Sequence, residues 1–137
     1  MDDRYRKEAG VNGENAALRY LCSQGLELVA RNYRCRAGEI DLVMLEPGHV
    51  GTEPATLVLI EVRYRTLTGF GGAAASVYWR KQRRIIRAAR YLLLRHPDLR
   101  AYRARFDVVA LSPADPAGHG PIVSGLSIEW LRHAFTA

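Results

Sequence analysis

Thr56-Leu57-Val58-Leu59-Ile60-Glu61-Val62-Arg63-Tyr64-Arg65 is the stretch on which the fold turns. Its aliphatic residues fall on both side-chain parities, so a strand here is apolar on both faces, as a central strand of an α/β sheet is. Glu61 interrupts the run on the face it shares with Leu57, Leu59 and Arg63. An ionised carboxylate in that setting is costly unless something positive meets it. An ion pair with Arg63 or Arg65 at the strand end would meet the need, and so would a bound cation.

Upstream, Leu26 to Arg36 and Glu39 to Glu46 are rich in β-branched and aliphatic residues, with Ala37-Gly38 as a tight connection. Three successive strands predict an antiparallel meander, with Pro47 to Pro54 as the loop before the third. Ahead of them, Arg4 to Gln24 carries Ala9, Ala16, Ala17, Tyr20 and Leu21 at helical spacing, and Gly25 stands where a C-terminal cap belongs. Downstream, Leu67 to Gly72 contains three glycines and reads as a flexible loop. Ser76 then caps a helix that His96-Pro97 stops after Arg95. Arg105 to Leu111 reads as a buried strand parallel to the third, Pro113 to Pro121 as a loop, Ile122-Val123 as a short edge strand, and Ser127 to Phe135 as a terminal helix. The expected class is α/β, in the order α-β-β-β-α-β with a mixed central sheet and a C-terminal helix.

The chain has 137 residues, 48% hydrophobic and 25% charged, which suits a single domain spanning 1–137. No stretch approaches the roughly 20 apolar residues of a membrane span, and MDDRYRKEAG opens with acids where a signal peptide has bases, so a cytoplasmic protein without a membrane partner is expected. Cys22 and Cys35 lack a zinc-like spacing and are read as reduced thiols. A net charge of +6 points to an acidic partner, of which nucleic acid is the commonest. Eighteen of the twenty basic residues are arginine, leaving only Lys7 and Lys81. Where arginine has replaced lysine so widely, a retained lysine is a candidate for a role that needs a compact ammonium.

The second strand repeats the anomaly of the third. Gly38-Glu39-Ile40-Asp41-Leu42-Val43 sets Asp41 in an apolar run, on the face opposite Ile40 and Leu42. Neighbouring antiparallel strands bring Asp41 and Glu61 within reach of each other. Two close carboxylates repel, and a divalent cation removes the conflict. Oxygen ligands without His or Cys nearby favour Mg²⁺ or Mn²⁺ over zinc. Glu39 shares the face of Asp41 and is either a further ligand or a solvated residue at a strand start. On the long helix, Arg80, Arg83, Arg84, Arg87 and Arg90 occupy one arc, opposite Ile85, Ala88, Ala89 and Leu92. That arc follows a nucleic-acid backbone or serves as a solvated face. Lys81 lies on the apolar side, placed to reach back toward Glu61 and Arg63. Gly69 to Gly72 lacks the spacing of a phosphate-binding loop, and Asp107 reads as structural.

The spacing of Asp41 to Glu61-Val62-Arg63 resembles the D…(D/E)-x-K signature of the restriction-endonuclease-like superfamily, which includes archaeal Holliday-junction resolvases. A closer resemblance is to the YraN family of bacterial proteins. It is carried by Gly13-Glu14-x-Ala16-Ala17, Arg31-Asn32-Tyr33-Arg34, Gly38-Glu39-Ile40-Asp41-Leu42, Ile60-Glu61-Val62-Arg63-Tyr64-Arg65, Gly71-Gly72-Ala73-Ala74-Ala75-Ser76 and Arg105-Phe106-Asp107-Val108-Val109. The resemblance implies a restriction-endonuclease-like core and nucleic-acid binding. It makes Asp41 and Glu61 metal ligands, and Glu14 the additional acid of resolvase-like members. Arg63 departs from the signature's lysine. Arginine stabilises charge but does not readily exchange a proton, so Lys81 becomes the candidate replacement.

Two readings follow, a Mg²⁺- or Mn²⁺-dependent nuclease acting on DNA, branched or otherwise structured, in preference to RNA, and an inactive nucleic-acid-binding module that keeps the fold. A metal-independent glycosidase using Asp41 and Glu61 is a third, against which the basic surface argues. The sequence leaves open whether the chain forms a homodimer.

Overall fold

In a computed structural model, residues 3–65, 71–114, 117–118 and 120–137 are described. The chain runs α1 (Asp3–Ser23), β1 (Glu27–Cys35), β2 (Gly38–Glu46), β3 (Thr56–Tyr64), α2 (Gly71–Arg95), a 3-10 turn (Pro97–Ala101), β4 (Arg103–Pro113), β5 (Ile122–Val123) and β6 (Leu126–Phe135). The strands form one mixed sheet in the order β1-β2-β3-β4-β6-β5. β1, β2 and β3 make the antiparallel meander, β3 and β4 pair in parallel across α2, and β6 runs antiparallel to both β4 and β5.

The two helices cover opposite faces, which is why β3 is apolar on both parities. Leu57 and Leu59 pack with Ile85, Ala88, Ala89 and Leu92 of α2, while Val58 and Ile60 pack with Ala17 and Leu21 of α1. Two glycines set how closely these layers approach. A Cβ at Gly38 would stand 2.6 Å from the backbone oxygen of Arg84, so the β1–β2 turn presses on the backbone of α2. A Cβ at Gly13 would stand 2.9 Å from Leu111 Cδ1, so α1 lies low on β4.

Three expectations are corrected. Ser127 to Phe135 is not a helix but most of β6: Leu126, Ile128 and Trp130 alternate into the α1-side core, opposite Pro113, Leu111 and Val109 of β4. A strand also satisfies the open edge of β4, whose backbone groups a helix would have left unpaired. The long helix starts at Gly71 rather than after Ser76, so Gly71 and Gly72 belong to α2, while the rest of the expected loop, including Gly69, lies outside the described residues. Finally, Ile40 and Leu42 do not share a face. Ile40 packs in the α2-side core and Leu42 in the α1-side core, so the alternation breaks at Asp41. Among the described residues no helix is long and apolar enough to cross a membrane.

Candidate functional site

β2 and β3 part company at the two acids. Their last paired residues are Leu42 and Ile60, while β3 stays with β4 through Glu61↔Val108 to Tyr64↔Leu111. Just past the last pair, the Asp41 side chain takes up a ladder role: its Oδ2 accepts a hydrogen bond from the Val62 backbone N–H at 2.8 Å. Burial pushes the Asp41 carboxyl up to about 6, against the lowering effect of the Val62 N–H, and the negative charges of Glu14, Glu61 and Glu39 add to the rise. Asp41 therefore sits in a field of carboxylates that a cation would relieve.

Glu61 is 2% exposed and faces α2, as the alternation of β3 requires. Lys81, from the third turn of α2, brings Nζ to 2.9 Å from Glu61 Oε1. That approach lies within ion-pair distance, and among the described residues neither oxygen of Glu61 has a hydrogen-bond partner. The carboxylate is compensated in charge and unsatisfied in hydrogen bonding, an unusual state for a buried acid. The Lys81 side chain is 60% exposed, so the ammonium arrives from the rim of α2 rather than from within the core. Arg63, half-buried, follows Glu61 on the same face of β3.

Glu14 approaches from the α1 side. Arg31 Nη2 lies 3.8 Å from Glu14 Oε2 and donates to Asn15 Oδ1 at 2.8 Å. With its amide nitrogen turned to the acid, Asn32 donates to both Glu14 oxygens at 3.1 and 3.3 Å. Asn32 takes a φ of 49° between the paired residues Arg31 and Tyr33, a conformation that asparagine tolerates better than most residues. Among the described residues no three His, Cys, Asp or Glu side chains converge as a group able to hold a metal. Among the acids that act on Asp41 the charge of Glu14 weighs most, followed by Glu61 and Glu39, and Glu14 keeps its own partners on β1. Glu39 is exposed and pairs with Arg34 at 3.5 Å.

Beside the acids, Arg34, Cys35, Gly38, Glu39, Lys81, Arg84 and Ile85 line a cleft of about 320 Å³ between the β1–β2 turn and α2. A larger hollow of about 630 Å³ near Tyr20, Arg65, Glu129 and Trp130 includes none of Asp41, Glu61 or Lys81. The acids and the ammonium, rather than volume, identify the candidate site. The arginines expected on one arc of α2, Arg80, Arg83, Arg84, Arg87 and Arg90, are all exposed, and Ile85, Ala88, Ala89 and Leu92 are buried on the other side.

A second charged cluster lies on the α1 face of the sheet. Asp107 is fully buried, and its carboxylate accepts from Arg105 Nε at 2.8 Å, Arg105 Nη2 at 2.9 Å, Trp130 Nε1 at 2.9 Å and the His133 backbone N–H at 2.9 Å. Arg105 also donates to Glu46 Oε1 at 2.8 Å, and Arg132 lies 3.2 Å from Glu46 Oε2. The hydrogen bonds that Arg105 donates to Asp107 and, next in weight, to Glu46 raise its pKa further and keep it charged. With its oxygens occupied, Asp107 anchors the irregular pairing of β4 and β6 between Phe106 and Val108. The Arg105-x-Asp107 spacing, which puts both on one face of a strand, was the available sequence signal; its Trp130 and His133 partners were not visible.

Residues 13–111 match the uncharacterised protein family UPF0102. The chain is 45% identical to the UPF0102 protein of Pseudomonas putida strain GB-1, over 93% of this chain and 92% of that one. It is 48% identical to one from Cupriavidus taiwanensis, over 96% and 86% of the two chains. A third relative, from Methylobacillus flagellatus, is 44% identical over 96% and 99%.

Proposed function

The chain belongs to the UPF0102 family, and on that premise we propose that it is a cytoplasmic phosphodiesterase of the restriction-endonuclease-like superfamily, dependent on Mg²⁺ or Mn²⁺ and acting on DNA. The observation that carries this reading is the buried Glu61 carboxylate. Both its oxygens lack a hydrogen-bond partner among the described residues, one has an ammonium 2.9 Å away, and it lies beside an Asp41 whose pKa is raised. A buried acid left without hydrogen-bond partners, as Glu61 is, is a cost to the fold that a functional site explains.

The donor set fits a hard divalent ion. Asp41 and Glu61 are carboxylates on adjoining strands, and Mg²⁺ commonly takes one or two protein carboxylates and keeps waters on its other positions. Bound there, the ion supplies Lewis-acid polarisation of a phosphodiester oxygen and a water of lowered pKa. Lys81 holds its ammonium at the Glu61 carboxylate, where it balances charge and is able to give a proton to a departing alkoxide. Arg63 adds a permanent positive charge on the same face. The exposed arginines of α2 draw the polyanion to that side of the sheet.

Cleavage assays with Mg²⁺ and Mn²⁺ on single-stranded, duplex, flap and four-way DNA test the proposal, with Asp41→Ala and Glu61→Ala as controls. Metal-dependent cutting lost in both variants is the expected result. A second reading, a nucleic-acid-binding protein without catalysis, is favoured by Arg63 in the place of the signature's lysine. Tight, metal-independent DNA binding with no cutting of any substrate would select it.

A further inference from the structure

The outer face of α2 carries more than charge. Over Gly71–Arg95 the helix holds six arginines and one lysine with no Asp or Glu. Two aromatic rings stand among the arginines on its surface, Trp79 at 55% exposed and Tyr91 at 37%. Aromatic rings set among arginines are the composition in which binding surfaces are enriched.

Their spacing is regular. Trp79, Arg83, Arg87, Tyr91 and Arg95 follow at intervals of four, which on an α-helix makes one continuous ridge with steps of about 5–6 Å. The sequence along it is aromatic, base, base, aromatic, base. The Arg83 guanidinium lies 5.0 Å from the centre of the Trp79 ring, and that of Arg95 5.0 Å from the centre of Tyr91. Each ring is therefore steadied by a cation from the next turn, which also stands ready for a phosphate.

A duplex presents phosphates outward and keeps its bases stacked inside, so it would use the arginines and leave the rings idle. A strand with unpaired bases uses both, because each base offers a flat face to an aromatic side chain while its backbone follows the cations. We propose that the Trp79–Arg83–Arg87–Tyr91 ridge of α2 binds a single-stranded segment of nucleic acid, with bases stacked on Trp79 and Tyr91 and the intervening phosphates on Arg83 and Arg87. The inference rests on the nucleic-acid role proposed above and narrows it. Bases accessible at a flap, a junction or a single-stranded arm are what the ridge holds.

The test is equilibrium binding of fluorescein-labelled oligo-dT, oligo-U and a mixed-sequence duplex of equal length to the parent, Trp79→Ala, Trp79→Phe, Tyr91→Ala and Arg83→Ala/Arg87→Ala. Both rings are exposed, so their removal spares the core. Trp79→Ala and Tyr91→Ala should each weaken oligo-dT binding roughly tenfold and duplex binding less than about twofold, while Trp79→Phe keeps most of the single-strand affinity. The double arginine variant should weaken all three probes and lower the salt dependence. Comparison of oligo-dT with oligo-U distinguishes DNA from RNA as the source of the strand. Unchanged oligo-dT affinity in Trp79→Ala and Tyr91→Ala, or equal losses on duplex and single strand, would overturn the stacking ridge while leaving the nucleic-acid role intact. If the parent binds none of the probes, the nucleic-acid role itself fails, and the ridge with it.

Discussion

The Lys81 ammonium lies 2.9 Å from the Glu61 carboxylate, joining a side chain that is mostly in solvent to one that is almost wholly out of it. The pair spans α2 and β3 and is asymmetric: Lys81 loses little hydration by forming it, whereas neither oxygen of Glu61 has a hydrogen-bond partner among the described residues. Lys81→Ala should therefore reduce any metal-dependent cleavage by about 10²-fold or more, the usual scale of a lost acid–base partner, with metal affinity nearly unchanged. Lys7→Ala serves as the control for loss of a lysine. Lys81→Arg keeps the charge and should fail to restore the rate if the ammonium delivers a proton. Full activity in Lys81→Ala would leave Arg63 as the only cation with a catalytic role on this face.

Asp41→Asn should stabilise the protein in chelator-containing buffer. The folded-state pKa is raised from 3.8 to about 6, so between those values the folded protein holds a proton that the unfolded chain has lost. Stability then falls as pH rises from about 4 to about 6, and the penalty is fully present at pH 7, on the order of 3 kcal/mol from the size of the shift. Asparagine carries no charge to bury and still offers an oxygen to the Val62 N–H. Urea denaturation at pH 4, 5, 6 and 7 should show the variant's advantage growing with pH. An advantage equal at pH 4 and pH 7 would contradict the burial argument.

Removal of either carboxylate should cost the divalent ion its site. Asp41→Ala is expected to abolish Mg²⁺ and Mn²⁺ binding in calorimetry while the far-ultraviolet circular dichroism stays that of the parent, because one hard ligand dehydrates Mg²⁺ too poorly to hold it. Retention of parental affinity by the folded variant would rule out the site.

Asp107→Ala should destabilise the fold by roughly 3–5 kcal/mol, the scale of breaking one side of a buried ion pair. The change leaves Arg105, the Trp130 indole N–H and the His133 amide without their shared acceptor. Chemical denaturation measures it, and a loss below about 1 kcal/mol would mean that water replaces the carboxylate.

Arg84 and Arg87 give a separate test of charge. If DNA binding is mainly electrostatic, log K falls with log salt at about −0.9 per duplex phosphate contacted. Arg84→Glu/Arg87→Glu should flatten that slope, and a variant with the parent's affinity and salt dependence would leave these two arginines as a solvated surface.

Much of this molecule could be read along the chain because the informative patterns are local. The apolar run of β3 requires cover on both faces, and α1 and α2 supply it. The period of α2 separated Arg80, Arg83, Arg84, Arg87 and Arg90 from Ile85, Ala88, Ala89 and Leu92, and put Lys81 on the side that meets Glu61. Acids embedded in the strands marked Asp41 and Glu61, since an isolated carboxylate in an apolar run is an anomaly whatever the fold. The same sequence misled at Ser127 to Phe135, where a short apolar pattern fits a helix or a strand and only the open edge of β4 decides between them. Nor could it show the break in alternation at Asp41, the parting of β2 from β3, the two unsatisfied oxygens of Glu61, or the donors gathered round Asp107. Those depend on which distant segments meet and at what angle. By itself the sequence determined which elements form and which residues carry unpaired charge, because propensity and periodicity act over a few residues; the tertiary structure alone decided which partner each charge meets, because that is settled by packing between segments far apart in the chain.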